Sequence, residues 1–116
     1  MSKVPKVANG KCREYVRNRK EFTGNNLFAR VRHVPLTDES LYVVYSYGEH
    51  YPLFIYHYAT DTWFENEDRY SVTTSKHRSQ AHPLPTTPVI KASTTFMKNL
   101  FWRGLVASVG NTSEAA

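Results

Sequence analysis

The sequence predicts an α+β domain in which a meander of three or four antiparallel strands packs against helices. Runs of β-branched and aromatic residues fill the middle of the chain, and apolar residues recur at helical spacing near both ends. Short turns join the predicted strands, which favours antiparallel pairing and leaves no room there for parallel crossovers. With 116 residues, 41% of them hydrophobic, the chain can bury one core, so we expect a single domain spanning 1–116.

A short amphipathic N-terminal helix is predicted from Asn9 to about residue 22. Cys12, Tyr15 and Val16 recur at three- and four-residue spacing, Asn9 is a suitable cap, and the TGNN run at 23–26 is a stop signal. We expect residues 1–8 to be flexible. The outer face carries cations that either contact phosphates or keep the face solvated, which is their usual role there: Lys11, Arg13, Arg17, Arg19 and Lys20.

Four segments have the pattern of strands. The first, 27–33, alternates so that Phe28, Arg30 and Arg32 share one side. The other three, at 41–47, 53–58 and 62–66, are rich in β-branched and aromatic residues. Because two of them are apolar on both sides, we expect one sheet face to pack on helices and tyrosine hydroxyls to meet water on the other.

Two further helices are predicted in the second half of the chain. A brief helix near 74–80 is capped by Thr73 or Thr74. The prolines within 81–92 favour an extended linker, because each fixes φ and disfavours helix in the residue before it. The C-terminal helix, 93–107, is expected to stop by Gly110, to leave 110–116 flexible and to cover one sheet face. Its apolar stripe consists of Phe96, Met97, Leu100, Phe101 and Leu105.

Composition limits the classes of function. Fifteen Lys/Arg against ten Asp/Glu give a net charge of +5, which favours nucleic acid or an acidic protein as partner. Cys12, the single cysteine, excludes an intramolecular disulfide and a CxxC metal site. The basic N-terminus lacks the apolar run of a signal peptide, and no stretch is long enough to span a membrane. We therefore expect a cytoplasmic protein without a membrane partner.

A discontinuous motif carries a family resemblance. It comprises Ser46-Tyr47-Gly48, Pro52, Trp63, Asn66 and the run from Tyr70 to His77 that ends in TTSKH. This pattern resembles small proteins of unknown function encoded by tailed phages, and it covers about 40 residues, from 43 to 80. The resemblance implies a phage origin and an infected bacterial cell as the setting. It implies no activity and assigns no functional residue.

The TTSKH region is a candidate anion site. Hydroxyls and backbone N–H groups at a helix start favour a phosphate, and nearby cations add charge. The competing interpretation is structural: the hydroxyls cap a turn, and the histidine packs on Trp63 or Tyr70. The candidate residues are Thr73, Thr74, Ser75, Lys76, His77 and Arg78.

Aromatic rings beside basic strands suggest a second kind of contact. Tyr47, Tyr56 and Trp63 are candidates to stack unpaired bases, with Arg30 and Arg32 holding the backbone. Trp102, next to Phe101 on the last helix, is a further candidate for stacking or partner contact. The alternative is that these rings belong to the core, since the chain has no RNP-type motif.

Catalysis and metal binding have little support in the sequence. His50 with His57, and His77 with His82, match no standard metal spacing, and we expect no metal or other cofactor. Sets such as Ser75, His77 and Asp68 lack a nucleophile elbow or any other catalytic motif. We expect that the protein is not an enzyme, with a hydrolase or metal-dependent enzyme as the remote alternative.

Two binding hypotheses remain. In the first, a phage-type accessory protein binds nucleic acid through a basic, aromatic surface. In the second, it docks on an acidic host protein, for example a defence nuclease or a transcription enzyme, and inhibits it as part of anti-defence or host takeover. The sequence also leaves self-association open.

Overall fold

A six-stranded mixed sheet forms the middle layer of an α+β fold in the computed structural model of the chain. The structure describes residues 4–68, 72–83 and 87–115, and within these it describes 72–75 and 106–115 by their backbone alone. The elements are a 3-10 helix at Asn9–Lys11, α1 Arg13–Arg17, β1 Phe22–Thr23, β2 Leu27–His33, β3 Ser40–Ser46, β4 Pro52–His57, β5 Thr62–Asn66, α2 Val72–Ala81, β6 Ile90–Ala92 and α3 Thr94–Ala115.

The strands lie in chain order across the sheet, from β1 to β6. Antiparallel pairs join β1 through β5, with Ala29 opposite Val44 and Tyr56 opposite Trp63. The predicted meander is therefore confirmed, and β2 and β5 have the predicted bounds. Their alternation of side chains is a local pattern that the sequence carries directly.

The sheet is apolar on both faces, and helices cover both. On one face Tyr42 and Val44 pack with Cys12 and Val16 of the N-terminal segment and with Ala81 of α2. On the other face β3 and its neighbours pack against the apolar side of α3, which includes Met97, Leu100 and Phe101, as the predicted stripe requires. Full burial of both faces explains why β3 and β4 lack the polar alternation of a half-exposed strand.

The expectation of a water-exposed sheet face is therefore wrong. Tyr42 is fully buried, and its hydroxyl donates a 2.8 Å hydrogen bond to the Lys20 carbonyl. Tyr45 is also fully buried, and its hydroxyl oxygen accepts a hydrogen bond from Arg32. Both hydroxyls therefore have hydrogen-bond partners inside the protein, because the helices on each face exclude water from the sheet.

The estimate of three or four strands was also too low. Two short strands extend the sheet: β1 at one edge and β6 at the other. β6 lies inside the predicted linker 81–92 and pairs parallel to β5, with Glu65 opposite Lys91. The parallel connection has room because the chain between β5 and β6 contains α2, which makes this unit a β–α–β crossover.

The N-terminal helix is shorter than predicted. It ends at Arg17, and a separate 3-10 turn precedes it, because Asn9 does not act as a helix cap. Its side chain instead bonds the backbone N–H and carbonyl of Asn25, which ties the turn to the loop before β2. Arg19 has a positive φ of 53°, so the backbone leaves the helix there and continues to β1.

The C-terminal helix is longer than predicted and consists of two helical segments that meet at Gly104. This glycine has φ 80° and ψ 174°, a conformation that residues with a Cβ rarely adopt. The second segment extends past Gly110, where the sequence predicts a stop, to Ala115. Across the described residues we find no helix with both the length and the apolar character needed to cross a membrane.

The Gly104 conformation gives a test of the fold. Gly104→Ala is expected to lower the free energy of unfolding by about 1 to 3 kcal/mol, because the backbone is strained for any L-residue there. The new Cβ would also collide with the Glu39 carboxylate. Gly10→Ala is the matched control, since a Cβ at that position would have no atom beyond its own chain neighbours within 4 Å. Urea denaturation measures both variants, and equal stabilities would contradict this account of the break in α3.

Candidate nucleic-acid interface

The predicted cationic residues lie on two opposite faces of the sheet. Arg30 and Arg32 share the side of β2 that packs toward α3, where Arg32 lies over the Phe101 ring. Lys76 and Arg78 belong to α2, which covers the other face. The sheet separates the two pairs, so they do not form the single continuous surface that their positions near strands suggested.

Arg30 is held by hydrogen bonds within the sheet. Its Nη1 donates to the carbonyls of Phe22 and Ala29, each at 2.8 Å, and its Nη2 donates to the Thr23 hydroxyl at 2.9 Å. These bonds connect β1 to β2. The side chain therefore stabilises the edge of the sheet and has few donors left for a ligand.

Arg78 is also engaged within the protein. Its Nε lies 3.8 Å from a carboxylate oxygen of Glu65, and its Nη2 donates to the Asp68 carbonyl at 3.2 Å. Glu65 is 5% exposed and lies 3.6 Å from the Lys91 ammonium as well. Arg78 thus compensates a buried carboxylate, which would be strongly unfavourable without a partner.

His77 is a buried packing residue rather than a surface group. Its Nδ1 lies 2.8 Å from the Ser46 hydroxyl, and its ring packs 5.4 Å from the Tyr47 ring. Burial lowers the pKa of His77, and the neighbouring charge of Lys76 lowers it further. The described partners of His77 are therefore Ser46 and Tyr47, and Trp63, one of the two partners that the sequence suggests, is not among them. The predicted partner Tyr70 and the side chains of Thr73, Thr74 and Ser75 lie outside the described residues.

The four predicted aromatic residues divide by exposure. Tyr56 and Trp63 are 6% and 7% exposed and pack on each other with ring centroids 5.0 Å apart, so they belong to the core. Tyr47 and Trp102 are 40% and 64% exposed. Only these last two rings of the four offer solvent-exposed area to a partner.

The strongest concentration of positive charge lies at the N-terminal end. Residues 6–20 contain six Lys/Arg and one Glu, a net charge of +5, which equals the net charge of the whole chain. The remaining residues are therefore neutral in sum. We define the basic surface as four of the exposed cations of this segment together with the exposed cation of α2: Lys11, Arg13, Arg17, Lys20 and Lys76.

The local fold turns these cations outward. Cys12 and Val16 are four residues apart, lie on one side of α1 and are fully buried against the sheet. Arg13 and Arg17, also four apart, occupy the adjacent exposed side. Within the described part of the chain, none of the five residues of the basic surface forms an ion pair with a carboxylate. Their charge is therefore not neutralised by the protein.

A cleft joins α1 to α2 within the basic surface. It has a volume of about 320 Å³ and is lined by Gly10, Arg13, Ser79 and Gln80. The Arg13 Nη2 donates to the Ser79 carbonyl at 2.8 Å, which fixes the guanidinium across the two helices. Lys76 lies one turn before Gln80 on α2, so it lies on the same side of this helix as the cleft. The sequence itself indicates this site, because counting charges along the chain identifies residues 6–20 as its most basic segment.

A hydrogen-bonded chain of Glu39, His57 and Thr60 was not anticipated from the sequence. His57 Nε2 lies 2.7 Å from Glu39 Oε1, and its Nδ1 lies 2.7 Å from the Thr60 hydroxyl. Since a carboxylate only accepts, Nε2 donates to Glu39. The order hydroxyl, imidazole, carboxylate is shared with hydrolases. Here, however, His57 is 3% exposed and Glu39 also accepts the Leu105 N–H at 2.8 Å, so the group acts as a structural clamp.

The clamp also sets the ionisation of its carboxylate. Burial alone would raise the pKa of Glu39, and it is the largest single influence. The hydrogen bonds from Leu105 and His57, together with the electrostatic attraction of His57, outweigh burial, and the pKa of Glu39 is lowered from its usual value. The carboxylate therefore remains charged while it holds the start of the second segment of α3.

In the described ranges, no three His, Cys, Asp or Glu side chains lie together as metal ligands would. Comparison with protein-family models, curated proteins and solved structures finds no match to this chain.

Burial of His77 predicts a pH effect on stability. Because the pKa of the folded state is lowered, the unfolded chain takes up the proton first as pH falls below about 6.5. Stability is fully present above this pH and is lost as pH falls toward the pKa of the folded state. In His77→Gln, which does not titrate, the loss between pH 7 and pH 5 should be smaller than in the wild type.

Urea denaturation at several pH values measures this difference. His33→Gln is the control, because His33 is an exposed residue of β2. A wild-type pH dependence that His77→Gln retains in full would contradict a buried, neutral His77.

Proposed function

We propose that the protein binds nucleic acid through the basic surface formed by α1 and α2. The observation that carries the proposal is twofold: residues 6–20 hold a net charge of +5, equal to that of the whole chain, and the cations of the basic surface have no carboxylate partner among the described residues. Phosphate backbones are the polyanions that such a surface attracts most strongly, because each contact releases condensed counterions. In this proposal the chain is a phage-type accessory protein that acts by binding, without an enzymatic step.

Phosphate contacts are expected to dominate this mode of binding. Arg13, fixed between the two helices, and Arg17, one turn further on, are spaced to follow a backbone. Tyr58, which is 39% exposed and packs on Tyr56 near Arg19, is the aromatic residue best placed to add a stacking contact. We therefore propose binding with little dependence on base sequence.

A charge reversal tests the proposal. Arg17→Glu is expected to weaken binding of labelled single- and double-stranded DNA and RNA roughly tenfold at low salt, because it removes one phosphate contact and adds a repulsive charge. The slope of log affinity against log salt should fall by about one. Fluorescence anisotropy over a range of salt concentrations measures both quantities.

Arg103→Glu is the matched control for this experiment. It is the same substitution at an exposed helical arginine, but Arg103 lies on α3, across the sheet from the basic surface. Arg103→Glu should therefore bind nearly as the wild type does. Equal losses in the two variants would indicate a nonspecific charge effect, and no binding of any nucleic acid by the wild type would remove the proposal.

A second candidate function is docking on a partner protein, and one observation favours it. An apolar groove of about 590 Å³ lies between the β5–β6 edge of the sheet and α3, lined by residues that include Phe64, Phe96 and Leu105. Ile90 of the edge strand is 54% exposed beside it, and Lys91 lies at its rim. An edge strand next to an apolar groove suits an extended peptide segment, which adds backbone hydrogen bonds and fills the groove with a side chain.

Selection from a library of displayed linear peptides tests this second function. Apolar peptides with an acidic residue for Lys91 should be retained by the wild type and released by Ile90→Asp, which places a charge in the groove. Lys98→Asp is the control, because Lys98 is an exposed residue of α3 outside this groove. A selection that yields no such sequences would rule out the groove as a peptide site.

A further inference from the structure

A second cleft lies on the opposite side of the sheet from the basic surface. It has a volume of about 420 Å³, within the range of about 300 to 1,000 Å³ that is usual for small-molecule sites. β2, the loop between β3 and β4, and α3 contribute its lining, which is Arg32, Glu49, His50, Lys98, Phe101 and Trp102. Most of these side chains are cationic or aromatic. None of the six belongs to the clamp around Glu39 and His57 or to the apolar groove beside β6.

Arg32 is held in this cleft by groups of the core. Its Nη1 donates to the Tyr45 hydroxyl at 3.2 Å, and its guanidinium carbon lies 4.3 Å from the centre of the Phe101 ring. Tyr45 is fully buried and Phe101 is 4% exposed, so both supports are rigid. A guanidinium fixed in this way loses little conformational entropy when it binds an anion.

The polar contacts of Arg32 leave donors for a ligand. Both its hydrogen bond to Tyr45 and its 3.8 Å ion pair with Glu49 use Nη1. Within the described residues, Nη2 and Nε of Arg32 have no protein acceptor, and the side chain is 25% exposed. Glu49 is 74% exposed on a loop, so an incoming anion can displace it without uncovering a buried charge.

Trp102 supplies a flat surface beside this cation. Its ring is 64% exposed, and its centre lies 5.5 Å from the Arg32 guanidinium. An indole exposed to this extent offers a face on which a planar heterocycle can stack. Lys98 precedes Trp102 by four residues on α3, which puts its exposed ammonium on the same side of the helix.

From this arrangement we infer that the Arg32–Trp102 cleft binds a nucleoside phosphate. The base stacks on Trp102, and the phosphate accepts hydrogen bonds from Arg32 and Lys98. A planar ring joined to an anion matches an indole face adjoining two cations better than either group alone does. Since the cleft and the basic surface lie on opposite sides of the sheet, this inference does not rest on the proposed function. The nucleotide comes either free from solution or as the phosphorylated end of a strand.

The two tryptophans make a local test available in the wild-type protein. Trp63 is 7% exposed and Trp102 is 64% exposed, so nitrogen-15 correlation spectra contain one buried and one exposed indole N–H signal. The Trp102 signal is identified as the one missing from Trp102→Phe, a surface substitution. Adenosine monophosphate should shift this signal in a saturable way and leave the Trp63 signal unchanged.

Three comparisons define the chemistry. Adenosine and inorganic phosphate, each alone, should bind more weakly than adenosine monophosphate, and Lys98→Ala should weaken its binding by about tenfold. Arg103→Ala, at the exposed neighbour of Trp102, is the matched control and should bind as the wild type does. A shift with a 5′-phosphorylated oligonucleotide but not with the free nucleotide would assign the cleft to strand ends.

Other outcomes overturn the inference. If millimolar adenosine monophosphate and the oligonucleotide both leave the Trp102 signal in place, the cleft is not a nucleotide site. If inorganic phosphate binds as tightly as adenosine monophosphate, the ring has no role. Because the basic surface is assayed separately with Arg17→Glu, loss of nucleic-acid binding there and loss of nucleotide binding here are distinguishable results.

Discussion

Burial of the sheet on both faces is the constraint on which the rest of this structure depends. Tyr42 and Val44 need one apolar cover, and Val43 and Tyr45 need another on the opposite side. Helices supply each cover, so the aromatic rings of the central strands are buried in the core. Any contact with a partner must then come from outer helix faces, from loops or from the edges of the sheet.

The carboxylate of Glu39 holds α3, the helix that covers the second face, against the sheet. Glu39 precedes β3, accepts the Leu105 N–H and contacts His57 of β4, so it connects two strands to the point where α3 bends. The absence of a Cβ at Gly104 gives the carboxylate the space to do so. This explains why a glycine that weakens an isolated helix is accommodated within the longest helix of the chain. It also places Phe101 and Trp102, just before the bend, over β2.

Local patterns predicted the fold where contacts are local, and they were insufficient elsewhere. The alternation within β2 and β5 gave their bounds, because the side-chain period of a strand is visible in its own residues. β6 is three residues long and follows Pro88 closely, and it forms by pairing with β5 across a helical crossover. The separate 3-10 turn before α1 likewise accompanies a tertiary bond, between Asn9 and Asn25. No local signal contains either contact.

The two candidate sites differ in the same way. The basic surface is continuous in sequence, so a window count over residues 6–20 finds its charge, and burial of Cys12 and Val16 then turns it outward. The Arg32–Trp102 cleft joins β2 to α3, and its geometry depends on the register of a strand and on the bend in a helix. Single residues of this cleft were identified from their chemistry, but their proximity required the fold. A cation that only keeps a surface solvated needs no rigid support. Arg32, in contrast, is held by the buried rings of Tyr45 and Phe101. Because functional side chains are typically fixed by packing of this kind, the arrangement argues for a ligand.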